Sequence, residues 1–160
     1  MRRLFLAAAC LILGIAPSAI AQVRHVGAPD AAIARAVVVP AGSQMIYVSG
    51  IVPLPADPSR PAELGDTRAQ TASILRQLGD TLHAEGYGFG DVVMMRVFLA
   101  GDPAKGGKMD FAGMMEAYRQ VFGAPEQPNK PARVTVQIAG LGPPGALAEI
   151  EVQAAKAPAR

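Results

Sequence analysis

A chain of 160 residues that is 51% hydrophobic and 18% charged has the length of one domain and enough apolar content for an ordinary core. Its formal charge of +2 leaves no clustered cationic excess of the kind that displaces counterions from nucleic-acid phosphates. With Cys10 as the single cysteine no disulfide can form within the chain, and His25 and His83 stand in no metal-ligand spacing.

The N-terminus reads as an export signal. Arg2 and Arg3 precede an uncharged apolar run from Leu4 to Ile15, and Ala19-Ile20-Ala21 offers small residues for cleavage before Gln22. The run is shorter than the roughly 20 residues that span a bilayer, so the expectation is a cleaved signal at 1–21 and no stable membrane insertion afterwards. Cleavage would lower Lys+Arg from 15 to 13, equal to the 13 Asp+Glu. The mature domain, residues 22–160, is then formally neutral, thiol-free and periplasmic or secreted.

In chain order, Arg35–Val39 and Met45–Ser49 read as two strands joined through Pro40-Ala41-Gly42-Ser43, a hairpin at the start of the domain. The proline-rich stretch 53–66 continues neither strand. From Thr67 to Gly86, Ile74, Leu75, Leu78 and Leu82 recur at helical spacing, and Gly86 and Gly88 stop the helix. Residues 91–100, DVVMMRVFLA, form a strand and 101–107 a turn-rich loop. A second helix runs from Asp110 to Phe122, with Phe111, Met114, Met115, Tyr118 and Phe122 on its apolar side as core packing rather than a cofactor site. Strands at Ala132–Ala139 and Leu147–Ala154 follow, then a short polar tail. The order ββαβαββ, without an internal repeat, indicates one α+β domain with its helices on one face of a sheet.

The last two strands carry the candidate chemistry. Strand side chains alternate, so Ala132, Val134, Val136 and Ile138 oppose Arg133, Thr135 and Gln137, while Ala148, Ile150, Val152 and Ala154 oppose Glu149, Glu151 and Gln153. The apolar sets are suited to lie under the helices. The second face is either solvated, with Arg133 and the glutamates as surface charges or ion pairs, or covered by another subunit. In the covered case Arg133 offers a fixed fork of donors for a carboxylate, and a nearby glutamate can hold a water or pass a proton. Arg96, which shares a face with Met94 and Phe98, is expected to pair with a glutamate rather than touch substrate.

VSGIVP at 48–53, the Gln70-Thr71 start of a Leu-rich helix, DVVMMRVFLA, the helix ending Tyr118 to Phe122, PARVTVQIAGL and AEIEVQA together resemble the RidA/YjgF family of reactive-intermediate deaminases. The resemblance spans the whole mature chain, and PAR followed by EIE is its most specific part. It implies a chorismate-mutase-like α+β fold, a mixed sheet with two helices on one face, assembled as a homotrimer with clefts between subunits. It also implies hydrolysis of 2-imino and enamine acids to 2-keto acids and ammonia, with no metal and no organic cofactor. By position, Arg133 matches the arginine that grips the substrate carboxylate, Glu149 the glutamate that handles the attacking water, and Ser49 and Gly50 the cleft strand. The chain departs from the family pattern where the usual tyrosine is Ile33, the usual glutamine Ile51, the usual asparagine Met115 and the usual cysteine Thr135. These changes imply a more apolar pocket, and they keep open a binding protein that holds a small carboxylate without turnover. Ribonuclease activity, attributed to some relatives, sits poorly with neutral charge and export.

Overall fold

The computed structural model describes residues 22–158. The export signal expected at 1–21 therefore lies outside the described residues.

Six strands and two helices follow one another as β1 (Arg24–Val26), β2 (Ala36–Val38), β3 (Gln44–Ile51), α1 (Thr67–Ala84), β4 (Val92–Ala100), α2 (Phe111–Tyr118), β5 (Ala132–Ile138) and β6 (Ala148–Lys156). The main sheet is ordered β3-β6-β4-β5: β6 runs antiparallel to both neighbours, and β5 lies parallel to β4 at the edge. The expected α+β fold is present, a mixed sheet with both helices on one face. One local expectation is overturned. β2 pairs with β1, not with β3, through Arg24↔Val38 and Val26↔Ala36. The turn at 40–43 does form, with Ser43 N donating to Pro40 O at 3.3 Å, but it redirects the chain between two sheets. Arg24–Val26, too short to stand out as a strand, supplies the partner that β3 was expected to be.

Helix α1 forms where the periodicity places it because its ends are chemically closed. Asp66 accepts from Ala69 N at 2.8 Å at the start. At the end Gly86, at φ +76°, lets Gly86 N reach His83 O and Tyr87 N reach Leu82 O, the paired bonds of a Schellman stop. Ile74, Leu75, Leu78 and Leu82 are buried against Met95, Val97, Leu99, Ile150 and Val152 of the sheet and against Met114, Tyr118 and Phe122. Helix α2 is shorter than its apolar stripe. After Tyr118 the chain tightens to three-residue bonds, Val121 N to Tyr118 O and Gln120 N to Ala117 O, which still delivers Phe122 to the core.

Gln70 is fully buried and fully bonded: its amide nitrogen donates to Gly65 O and Gly145 O, and its oxygen accepts from Leu147 N. It therefore ties the loop leading into β6 to the first turn of α1. Gln70→Leu strands three backbone groups and is expected to cost about 1 to 3 kcal/mol of stability, read as a lowered urea midpoint with unchanged slope.

Candidate active site

The two faces of the sheet divide the candidate residues into two groups. On the helix side, register places Met95 beside Arg133 and Val97 beside Thr135. Since Met95 and Val97 are buried under the helices, Arg133 and Thr135 point the same way. This corrects the expectation for β5: its charged set, not its valine set, lies under α2. Val134 and Val136, 41% and 39% exposed, face outward with Arg96 and Phe98.

Burial of the arginine is made tolerable by what lies above it. Its guanidinium carbon stands 4.3 Å from the Tyr118 ring centroid and 5.9 Å from that of Phe111, and Nη2 donates to Met115 Sδ at 3.1 Å. Phe111, Met115 and Tyr118 are spaced i, i+4, i+7, one stripe of α2. The stripe reads in sequence as core, and its aromatic members are candidate site residues that sequence reasoning missed. The signal available was the spacing itself, which places the three over one patch of the strand below.

Tyr118 holds its place by stacking on Phe122 at 4.8 Å and by donating its hydroxyl to Ala32 O at 3.0 Å. Burial pushes its pKa up to about 12, so it stays a neutral donor. That bond, with Ala34 N donating to Pro131 O, brings the segment carrying Ile33 against the start of β5. Ile33 packs on the core beside it, and so does Ile51 in β3. His25 Nδ1 donates to Lys130 O at 2.7 Å and pins β1 to the same segment, a structural role.

Among the described residues Arg133 forms no ion pair with a carboxylate. Burial holds its guanidinium below its ordinary pKa; Tyr118 opposes that shift and the nearby Arg119 cation adds to it. Its Nη1 and the Thr135 hydroxyl are buried with no hydrogen-bond partner among the described residues. An unmet buried donor is costly, and a carboxylate reaching it would be gained strongly.

Glu149 lies on the other face. Register pairs it with Phe98, and Glu151 with Arg96. Arg96 Nη1 donates to Glu151 Oε1, the ion pair expected of it, leaving Glu151 a structural charge. β3 is irregular between Val48 and Ile51, so Ser49 and Gly50 bulge at the point where Glu149 arrives. A Cβ on Gly50 would overlap the Glu149 carboxylate and stand 2.9 Å from its Cδ. Glycine is what lets the carboxylate lie against the strand. The structure thus brings Arg133, Thr135 and Met115 together, with the Ile33 segment against the start of β5, and separately Glu149, Ser49 and Gly50. Within one protomer the two groups are on opposite sides of the sheet. Among the described residues no three His, Cys, Asp or Glu side chains gather as a metal-ligand set.

These features define a class: a small α+β subunit whose four-stranded sheet carries an unneutralised arginine on its edge strand, under a helix, and a carboxylate laid on the opposite face. The model of the Endoribonuclease L-PSP family matches residues 28–156, and the chain belongs to that family, the RidA/YjgF group. It is 36% identical over 106 residues to the 3-aminoacrylate deaminase RutC of Acinetobacter baylyi, which covers 66% of this chain and 75% of that one. It is also 36% identical to the 2-iminobutanoate/2-iminopropanoate deaminase of Rattus norvegicus, over 71% of this chain and 74% of that protein. Among solved structures, TdcF of E. coli with bound serine superposes with a TM-score of 0.57 at 28% identity, covering 84% of this chain and 99% of that one.

Proposed function

We propose that this chain hydrolyses 2-imino and enamine acids to 2-keto acids and ammonia, at a cleft built between two copies. The observation that carries the reading is the Arg133 guanidinium, half-buried on Tyr118, with an unmet Nη1 and no carboxylate of its own. A substrate carboxylate supplies what it lacks. Glu149 cannot join it from within the same protomer, because the sheet stands between them. A second protomer can bring it. The open face has the surface for such an assembly: Tyr47, 71% exposed, and Met45 stand out on β3 at one edge, and Val134 and Val136 are exposed on β5 at the other. A closed homotrimer satisfies this geometry, each copy giving its Arg133 side to one neighbour and its Glu149 side to the other.

In that cleft Arg133 fixes the carboxylate and so the position of the C=N carbon. Glu149 of the second copy takes a proton from a water whose oxygen bonds to that carbon, and the proton passes to nitrogen. The tetrahedral carbinolamine then gives its hydroxyl proton to the amine nitrogen as its C–N bond breaks, leaving the 2-keto acid and ammonia. Because imines already hydrolyse in water, orientation and one proton transfer suffice.

A reading as a carboxylate-binding protein without turnover draws on Met115, which sets a thioether against the guanidinium, and on Ile33, an apolar residue packed on the core. A ribonuclease is disfavoured because Arg96 on the open face is paired with Glu151 rather than free for phosphate. Export rests on the 1–21 pattern, and the mass of the protein recovered from cells, starting at Gln22 or at Met1, tests it. For the reaction, 2-iminopropanoate and 2-iminobutanoate are generated in situ by an amino-acid oxidase. The expected result is imine decay at least tenfold above the protein-free rate with matching ammonia release. Decay at the protein-free rate overturns the enzyme.

A further inference from the structure

We infer that α2 also reads the substrate's side chain, with Phe111 as the selecting residue and large apolar 2-imino acids as the preferred class. The inference rests on the Arg133 reading above. Of the three residues over the guanidinium, Met115 and Tyr118 are buried and Phe111 is 43% exposed. The stripe therefore opens to solvent at one end, and a carboxylate reaching Arg133 along α2 passes the Phe111 ring.

Phe111 is also free to act as a wall. It is the first residue of α2, directly after the Asp110 cap, whose carboxylate accepts from Gly113 N at 3.1 Å. The cap, rather than the Phe111 side chain, starts the helix, and Phe111 is absent from the buried core cluster. An exposed phenyl ring at this position contributes little to folding and leaves apolar surface uncovered. Beside the guanidinium the Met115 thioether offers a substrate side chain no strong bonding partner, and the Thr135 hydroxyl on the same strand is buried away from solvent. A methyl side chain covers almost none of the ring. An isobutyl, methylthioethyl or benzyl side chain, held at a fixed distance from the carboxylate on Arg133, covers much of it.

The test uses the full assembled protein. Imines made in situ from alanine, leucine, methionine and phenylalanine are compared by kcat/KM in wild type, Phe111→Ala and Phe111→Leu. Binding of pyruvate and phenylpyruvate, stable products of the first and last, is measured by calorimetry in the same proteins. Wild type is expected to favour the phenylalanine-derived imine over the alanine-derived one by about tenfold, with the ratio collapsing toward one in Phe111→Ala and partly restored in Phe111→Leu. A ratio at or below one in wild type, or one unchanged by Phe111→Ala, overturns the selection. If no imine is turned over, the deaminase reading fails. The keto-acid arm still decides the selection: tighter binding of phenylpyruvate that is lost in Phe111→Ala supports it, and equal binding of both overturns it.

Discussion

Arg133→Lys is expected to lower kcat/KM for 2-iminobutanoate about a hundredfold, nearly as far as Arg133→Ala, while both proteins stay folded. Lysine keeps the positive charge, so a simple electrostatic role would survive the change. It loses the planar fork and the flat face that lies 4.3 Å from the Tyr118 ring. The effect should fall on KM and kcat together, since the fork both holds the carboxylate and aims the C=N carbon. Stability should move the other way from activity. Arg133 Nη1 is a buried donor without an acceptor, so Arg133→Leu removes an unmet polar group from under α2 and should not lower the melting temperature. A Lys variant with wild-type kcat/KM would sink the bidentate clamp. An Arg133→Leu protein that unfolds would reassign the arginine to the scaffold.

The physical origin of the one misassigned face lies in β5 itself. Alternation states that Val134 and Val136 oppose Arg133 and Thr135, and it is silent about which set the helices cover. Apolarity breaks that tie correctly in β6, where Ala148, Ile150, Val152 and Ala154 are buried. In β5 it breaks it wrongly, because the outward valines belong to a face suited to another copy while the buried arginine is sheltered by rings from α2. The helix Thr67–Ala84 was readable because its period, cap and glycine stop all agree. β1 was not, since three residues carry no period and its pairing with β2 is a long-range choice. Arg133 and Glu149 were legible as candidates through their motif. Their placement on opposite faces was not, since it depends on the parallel β4–β5 register and the antiparallel β4–β6 register together.

That placement makes a prediction that few single-protomer sites could meet. Glu149→Gln is expected to reduce kcat/KM by at least a hundredfold, because the amide cannot take the proton of the attacking water. Gly50→Ala should approach the same loss without removing any functional group, since the new methyl displaces the Glu149 carboxylate from its seat on the bulge. Mixed under conditions that exchange subunits, Arg133→Ala and Glu149→Gln proteins should then regain activity. A cleft that takes its arginine from the Glu149 variant and its glutamate from the Arg133 variant is intact, and random assembly of a closed ring makes about a quarter of the clefts so. If Arg133 and Glu149 served one site within a single protomer, no mixture could exceed its inactive parents. Recovery near a quarter of the wild-type rate, appearing at the pace of subunit exchange, would place the two groups in different copies. Inactive mixtures, with exchange verified by mass spectrometry, would remove the shared cleft and the deaminase mechanism built on it.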